Sequence, residues 1–387
     1  MGFILFDNEF RANLSPLSLT KAVADFHFGL LTIKERWALL LKSPVFVHTD
    51  HYLQPLYDTP SETAINTWID AAVLPTDELV QHILQLNAGE CLIDERGLIA
   101  GKSSIPFSEF NPSTAIRLYE KKNLIENILR IIFPWDIMLR NDAQIRADFK
   151  WVTRGRKSAP ISSTVQVFQT ADIFIEEGAK LEFCTLNSTT GPIYIGANAE
   201  IMEGTSIRGP FSIGYNSVLK LNSRVYGGTT LGPYCMGGGE IKNAVIMGYS
   251  NKAHDGYLGD AVIGEWCNLG AGTTNSNLKN SAGIMKVWSM GLNEYITVGQ
   301  KCGLIMGDFS RLSINSSVNT GSVIGVSCNV FGAGLLPRII PHFSWGIETI
   351  KYRLETAITD INNWKAMKGK KLSDAEIIML QHIFQNK

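Results

Sequence analysis

In the middle of the chain an aliphatic residue recurs every six positions, at Ile195, Ile201, Ile207, Ile213, Leu219, Val225 and Leu231. A half-buried antiparallel strand would instead alternate with period two over longer runs. Glycine follows the aliphatic residue at Gly196, Gly214 and Gly232, so one local geometry returns every eighteen residues. Three hexads per turn describe a triangular coil, each hexad giving one inward side chain and one corner. The beat returns at Ile263-Gly264 and Leu269-Gly270, and again at Val318, Ile324 and Val330. It slips at Gly237-Gly238-Gly239 and from Asn277 to Gly291, which read as loops leaving the coil. Stacked coils make a quasi-one-dimensional solenoid whose ends need covering.

The flanks follow other rules. Short apolar runs at Phe3 to Phe6 and Val45 to Val47 read as strands, and Asn123 to Ile132 as a helix. Together they predict an α/β layered domain over residues 1–157. Arg154 to Pro160 reads as a linker into a solenoid over 158–344. Pro337 and Pro341 break the beat, and residues 345–387 form a helical tail, with Ser373-x-x-Glu376 as a capping box. The tail is expected to cap the open end of the solenoid.

Composition sharpens this division. Of 35 glycines in 387 residues, 27 lie between 161 and 340, so one segment has its own backbone rules. A formal charge of −1 argues against a dedicated nucleic-acid binder. The cysteines (Cys91, Cys184, Cys235, Cys267, Cys302, Cys328) include no C-x-x-C pair and read as small buried side chains in a reducing compartment. Phe3 to Phe6 has no basic stretch before it and reads as a core strand, not a signal peptide. No apolar run approaches the ~20 residues of a membrane helix. A cytoplasmic protein is expected.

Chemistry concentrates between Ser250 and Thr274. His254 lies in a Gly-rich break of the hexad register and is the only histidine from 161 to 341, so the solenoid cannot build a three-histidine zinc site. An imidazole near neutral pKa suits removal of a proton from an amine, and backbone N–H groups of a Gly-rich turn suit an oxyanion.

The hexads resemble those of the hexapeptide-repeat acyltransferases, which implies a left-handed parallel β-helix. Lys252-Ala253-His254-x-x-Tyr257-Leu258-Gly259-Asp260-Ala261-x-Ile263-Gly264, continuing through Asn268-x-Gly270-Ala271-Gly272-Thr273 to Asn277, is similar to a more specific signature. It resembles the acetyltransferase half of the bacterial bifunctional UDP-N-acetylglucosamine pyrophosphorylase/glucosamine-1-phosphate N-acetyltransferases. The resemblance implies acetyl-CoA as co-substrate, an amino-sugar phosphate as acceptor, and a homotrimer. It implies His254 as general base, Arg224 and Lys242 on the sugar phosphate, Tyr257 and Asn268 on the sugar, and Asn277 near the substrates. Leu278 stands where the family has tyrosine. If one coil takes eighteen residues, Arg224 and Lys242 stack on one face.

The first domain departs further. Arg11 to Lys21 resembles that family's G-x-G-T-R…P-K phosphate loop, but Asp7-Asn8-Glu9-Phe10 replaces the glycines, where side chains block the backbone and carboxylates repel phosphate. The motifs Leu14-x-Pro16-Leu17-x-Leu19-Thr20, Gly29-x-x-Thr32-Ile33-x-Glu35-x-Trp37 and Pro134-Trp135-Asp136-Ile137 resemble a variant group known from Bacteroidetes-type bacteria. No Asp stands out after a mid-domain strand as a magnesium ligand; Asp50 is the nearest. Uridylyl transfer from UTP with Mg2+ is a second implied activity, with Arg11 and Lys21 as its nucleotide-binding residues. The rival readings are a nucleotidyltransferase with a mainly structural β-helix, and a non-catalytic oligomeric scaffold that binds sugar nucleotides.

Overall fold

The computed structural model describes residues 2–60, 65–348 and 350–387. In the first domain the strand Gly2–Phe6 runs parallel to Val45–His48 on one side and Asn66–Asp70 on the other. Gly97–Ser103 adds antiparallel to Asn66–Asp70, followed by Glu90–Asp94 and the edge strand Lys121–Leu124. Helices α1 (Ile33–Leu41), α2 (Asp77–Leu84) and α3 (Pro134–Thr153) complete it. The helix expected over Asn123 to Ile132 is not there: that stretch is the end of the edge strand and irregular chain. Its apolar spacing imitates a helix, but the Asp136 carboxylate captures the N–H groups of Ile132 and Phe133 and starts α3 at Pro134.

The solenoid is a left-handed parallel β-helix with three sheets along its length. Ile195 and Ile213 pair on the first face, Ile201 and Leu219 on the second, and Ile207 and Val225 on the third. All six are buried, filling one continuous interior. A Cβ on Gly196 would come within 2.7 Å of the Tyr215 amide nitrogen, which explains the glycine at this corner. Both slips occur. Val225 pairs with Ile241, sixteen residues on, and Leu231 with Ile246, fifteen on. Between Asn275 and Leu304 the chain leaves the coil to form the hairpin Met285–Ser289 with Glu294–Gly299.

The two domains share a core. On the first face Val245, Val262, Ile305 and Val323 face outward and join Trp37, Trp135, Ile137 and Met138 in one cluster. α3 lies across the strands Glu240–Ile246 and Tyr257–Ile263. The loop between Phe28 and Leu31 fixes the docking. The Gly29 N–H donates to Asn141 Oδ1 (2.7 Å), while its carbonyl accepts from Ser212 Oγ (2.6 Å) and Thr230 Oγ1 (2.9 Å) of the first face. Gly29 has φ +68°, and a Cβ there would run into the Asp148 carboxylate. Arg36 grips Asp148 through two bonds (2.8 and 2.9 Å) and also donates to the Phe28 carbonyl. The Gly29…Trp37 motif is thus a docking device: Thr32 and Glu35 form the capping box of α1, and Trp37 donates its indole N–H to the Val73 carbonyl.

The tail does not act as the expected end cap. Helices α4 (Leu354–Ala366) and α5 (Asp374–Asn386) lie along the corner between the first and second faces, packed on Trp266, Phe309 and Phe343 and on Leu53 of the first domain. Aromatic side chains draw them there: Tyr249 stacks on Tyr234 (5.0 Å) and on Trp266 (4.3 Å), with Lys365 over the Trp266 ring. The last coil ends instead in the antiparallel pair Ser344–Trp345 with Ile350–Lys351. Among the described residues no helix is long and apolar enough to cross a membrane.

Arg36→Met should cost about 3–5 kcal/mol in urea unfolding, because it leaves Asp148 charged and buried. Arg36→Met combined with Asp148→Leu should recover most of that loss. Equal losses in the single and double variants would show that the pair does not anchor the docking.

Candidate active site

The second-face strand Asn251–Lys252 leads through a tight corner at 253–256 into the third-face strand Tyr257–Ile263. Gly256 is required at this corner: its φ is +117°, and a Cβ would meet the Thr273 carbonyl of the next coil. His254 projects from the corner and is exposed, as is Asp255. Lys252 points the other way and is 1% exposed. Its ammonium donates to the carbonyls of Gly238 (3.3 Å), Asp255 (3.3 Å) and His254. Burial lowers its pKa to about 8, with Asp255 opposing the shift.

Tyr257 opens the third face. Its hydroxyl accepts from Asn277 Nδ2 (3.1 Å), and the same amide group donates to Asp260. The other Asp260 oxygen accepts from Asn243 Nδ2 (2.7 Å). Burial pushes the Tyr257 hydroxyl up to about 12, so at neutral pH it keeps its proton. The structure therefore brings Tyr257 and Asn277 together, with Asp260 as the shared acceptor, which the resemblance left without a role. Asn268 stands apart: it lies on the second face, paired with Asn251 and Arg311.

Arg224 and Lys242 share the third face but do not stack. The coil between them takes sixteen residues, not eighteen, so Arg224 pairs with Glu240, whose carboxylate lies 3.8 Å from its Nε. Lys242 sits two residues further along, with its ammonium 6.0 Å from the centre of the Tyr226 ring. The two cations flank Tyr226 diagonally. Beside them a groove of about 420 Å³ runs between Thr185, Asn187, Arg208 and Tyr226.

In the first domain Arg11 and Lys21 do not form a phosphate cradle. Arg11 is buried, paired with Asp7 (2.9 Å) and Asp50, and donates to the Ser18 carbonyl. Lys21 reaches into the β-helix, to Asp308 (2.9 Å) and Glu265 (3.1 Å). Burial disfavours its charge, yet these carboxylates outweigh that and hold its pKa above the ordinary range. Thr20 joins them through Asp308 (2.7 Å). The carboxylate after a mid-domain strand is Asp70, at the end of Asn66–Asp70; its signal in the sequence was the apolar run Trp68-Ile69 before it. Asp70 accepts from Asn8 (3.0 and 2.9 Å) and from Arg130 (3.0 Å), and Arg130 also pairs with Asp94. With both carboxylates turned to Arg130, these residues do not fit Mg2+. Among the described residues no group of three or more His, Cys, Asp or Glu could hold a metal ion. Next to them lies a cavity of about 620 Å³ that sets Arg96, Arg130 and Arg140 against Asp94, Glu95 and Glu126.

Residues 3–157 match the family model of sugar nucleotidyl transferases. The bifunctional protein GlmU of Methanocaldococcus jannaschii is 33% identical over 101 residues, covering 26% of this chain and 24% of its own. GlmU of Synechococcus elongatus is 27% identical over 195 residues, 48% of this chain and 38% of its own. The chain is thus similar to sugar nucleotidyl transferases over residues 3–157 and to GlmU proteins over part of its length. It spans well under half the length of these GlmU relatives. Among solved structures, the UDP-N-acetylglucosamine acyltransferase of Francisella novicida is 13% identical, covering 58% of this chain and 88% of its own, with a TM-score of 0.26. The stretch that resembles a phosphate loop is closed in this chain by its own ion pairs.

Arg11→Ala should lower stability on the order of 3 kcal/mol by stranding the buried Asp7 carboxylate. UTP with magnesium at millimolar concentration should shift the melting temperature of neither wild type nor variant. A wild-type shift that Arg11→Ala abolishes would make Arg11 a nucleotide ligand after all.

Proposed function

We propose that this protein transfers an acetyl group from acetyl-CoA to the amine of an amino-sugar phosphate, glucosamine 1-phosphate being the simplest acceptor of that class. The observation that supports the reading is that His254 is exposed at the corner where the third face begins, three residues before Tyr257, whose hydroxyl meets Asn277, on the face that also bears Arg224 and Lys242. The cations supply charge for the phosphate, and the Tyr257–Asn277 pair supplies polar contacts for the sugar. His254 takes a proton from the amine as its nitrogen attacks the thioester carbonyl. Backbone N–H groups of the Gly-rich corners stabilise the resulting oxyanion, and the C–S bond then breaks to release coenzyme A as the thiol.

This face is open in one chain. The first face is covered by the protein's own first domain, so a neighbour must approach the remaining faces. A cyclic homotrimer would set a neighbouring chain against the corner that carries His254, forming a shared groove through a heterologous contact that closes into a ring. The buried, unpaired cysteines suit a reducing compartment, and we assign the protein to the cytoplasm. Binding of a sugar nucleotide by the first domain is the second reading, favoured by the cavity beside Arg96 and Arg140.

His254→Ala should keep the fold and the acetyl-CoA KM while kcat falls by about a hundredfold to ten-thousandfold. Higher pH should restore part of the rate, since free amine then forms unaided. A wild-type rate at neutral pH in a thiol-release assay would remove His254 as the base. Sedimentation should give three chains of 42.7 kDa each, whereas a stable, active monomer would exclude the shared groove.

A further inference from the structure

The inward beat of the solenoid runs Ile246, Lys252, Leu258 through the site. Along the second face the interior column is Ile201, Leu219, Gly237 and Lys252. A lysine thus stands in a column that earlier coils fill with Ile201 and Leu219, directly beneath the glycine of the preceding coil. Burying an ammonium is costly unless hydrogen bonds replace its water. No carboxylate forms an ion pair with it among the described residues. Its three acceptors are all main-chain carbonyls, two from the corner that carries His254 and one, Gly238, from the corner of the preceding coil.

The outer side of this corner is held at its later residues. The Glu240 N–H donates to the Gly256 carbonyl and the Gly272 N–H to the Asp255 carbonyl. Among the described residues, Lys252 is the donor that reaches the carbonyl of His254 itself. A peptide plane fixed by its carbonyl fixes the Cα–Cβ direction of the residue that owns it, and so where the imidazole points.

We infer that Lys252 is a positioning residue: from inside the β-helix it fastens the peptide of His254 to the preceding corner and so aims the imidazole along the third face. This rests on the reading of His254 as the base. A misplacement of about 1 Å in a reacting group can cost on the order of a hundredfold in rate, so a tether of this kind has kinetic value even if it adds no stability.

Lys252→Met tests this in the full-length protein, because methionine suits an aliphatic hexad position and removes only the charged donor. Its melting temperature should match or exceed that of the wild type. Amide exchange at 253–256 should accelerate by at least tenfold, and kcat should fall tenfold to a hundredfold with both KM values unchanged. Unchanged exchange, an unchanged kcat, or a kcat loss that merely follows a fall in melting temperature would each overturn the assignment. Should the wild type acetylate no amino-sugar phosphate, the proposed reaction fails on its own. Exchange at 253–256 and the NMR line width of the His254 imidazole would then still show whether Lys252 orders this corner.

Discussion

Arg36 and Asp148 are both fully buried and meet with two parallel bonds. Such a pair is kept from being costly by the hydrogen bonds its remaining donors and acceptors make, since a stranded charge in the interior is costly, although Arg36 Nη1 finds no partner among the described residues. Here the Arg36 guanidinium also serves the Phe28 and Leu31 carbonyls, and Asp148 accepts from the Leu30 N–H and Gln144. The pair therefore sets the path of residues 28–31 and aims both the N–H and the carbonyl of Gly29. Those groups carry the hydrogen bonds that seat α3 and the first domain on the β-helix. Which face of the solenoid the first domain covers, and which it leaves uncovered, follows from this one contact.

Periodic parts of the chain were legible before the structure. Ile195 to Leu231 announce interior positions because each coil repeats the same steric problem, and the glycines at 196, 214 and 232 mark where adjacent backbones approach too closely for a side chain. Arg224 and Lys242 show the limit of that argument. Their spacing matches one ideal coil, but Gly237-Gly238-Gly239 shortens the real one to sixteen residues, and a register change is a tertiary event that spacing alone cannot date. Asn123 to Ile132 failed for a related reason: its apolar residues are split between the core, which takes Ile131 and packs Ile125 and Ile128, and solvent, which meets Leu124 and Leu129, and a capping carboxylate at Asp136 decides where helix begins.

Charged residues were the least legible. Arg11 and Lys21 keep the spacing of a phosphate loop, yet their partners, Asp50 and Asp308, lie far along the chain. Asp70 gave little local sign because its role depends on Arg130, sixty residues away. At the candidate site Tyr257 and Asn277 are hydrogen-bonded and His254 precedes Tyr257 by three residues, whereas Asn268 occupies a different face. Lys252 was visible as a break in the beat, a lysine at an inward position, but a cation inside a solenoid makes sense only once its carbonyl acceptors are seen.

The shared core also limits how the protein can be divided or inherited. Cutting near residue 157 would separate a solenoid whose first face carries a stripe of outward valine and isoleucine, at Val245, Val262, Ile305 and Val323, with nothing to cover it. Such a stripe on a regular parallel sheet invites self-association. The hairpin after Asn275 adds a second seam, since Gly291 packs against the Ala12 backbone so closely that no side chain would fit. A gene fragment encoding either half would produce a sticky, incomplete body. The two halves are thus bound to each other as one folding unit, not as interchangeable modules.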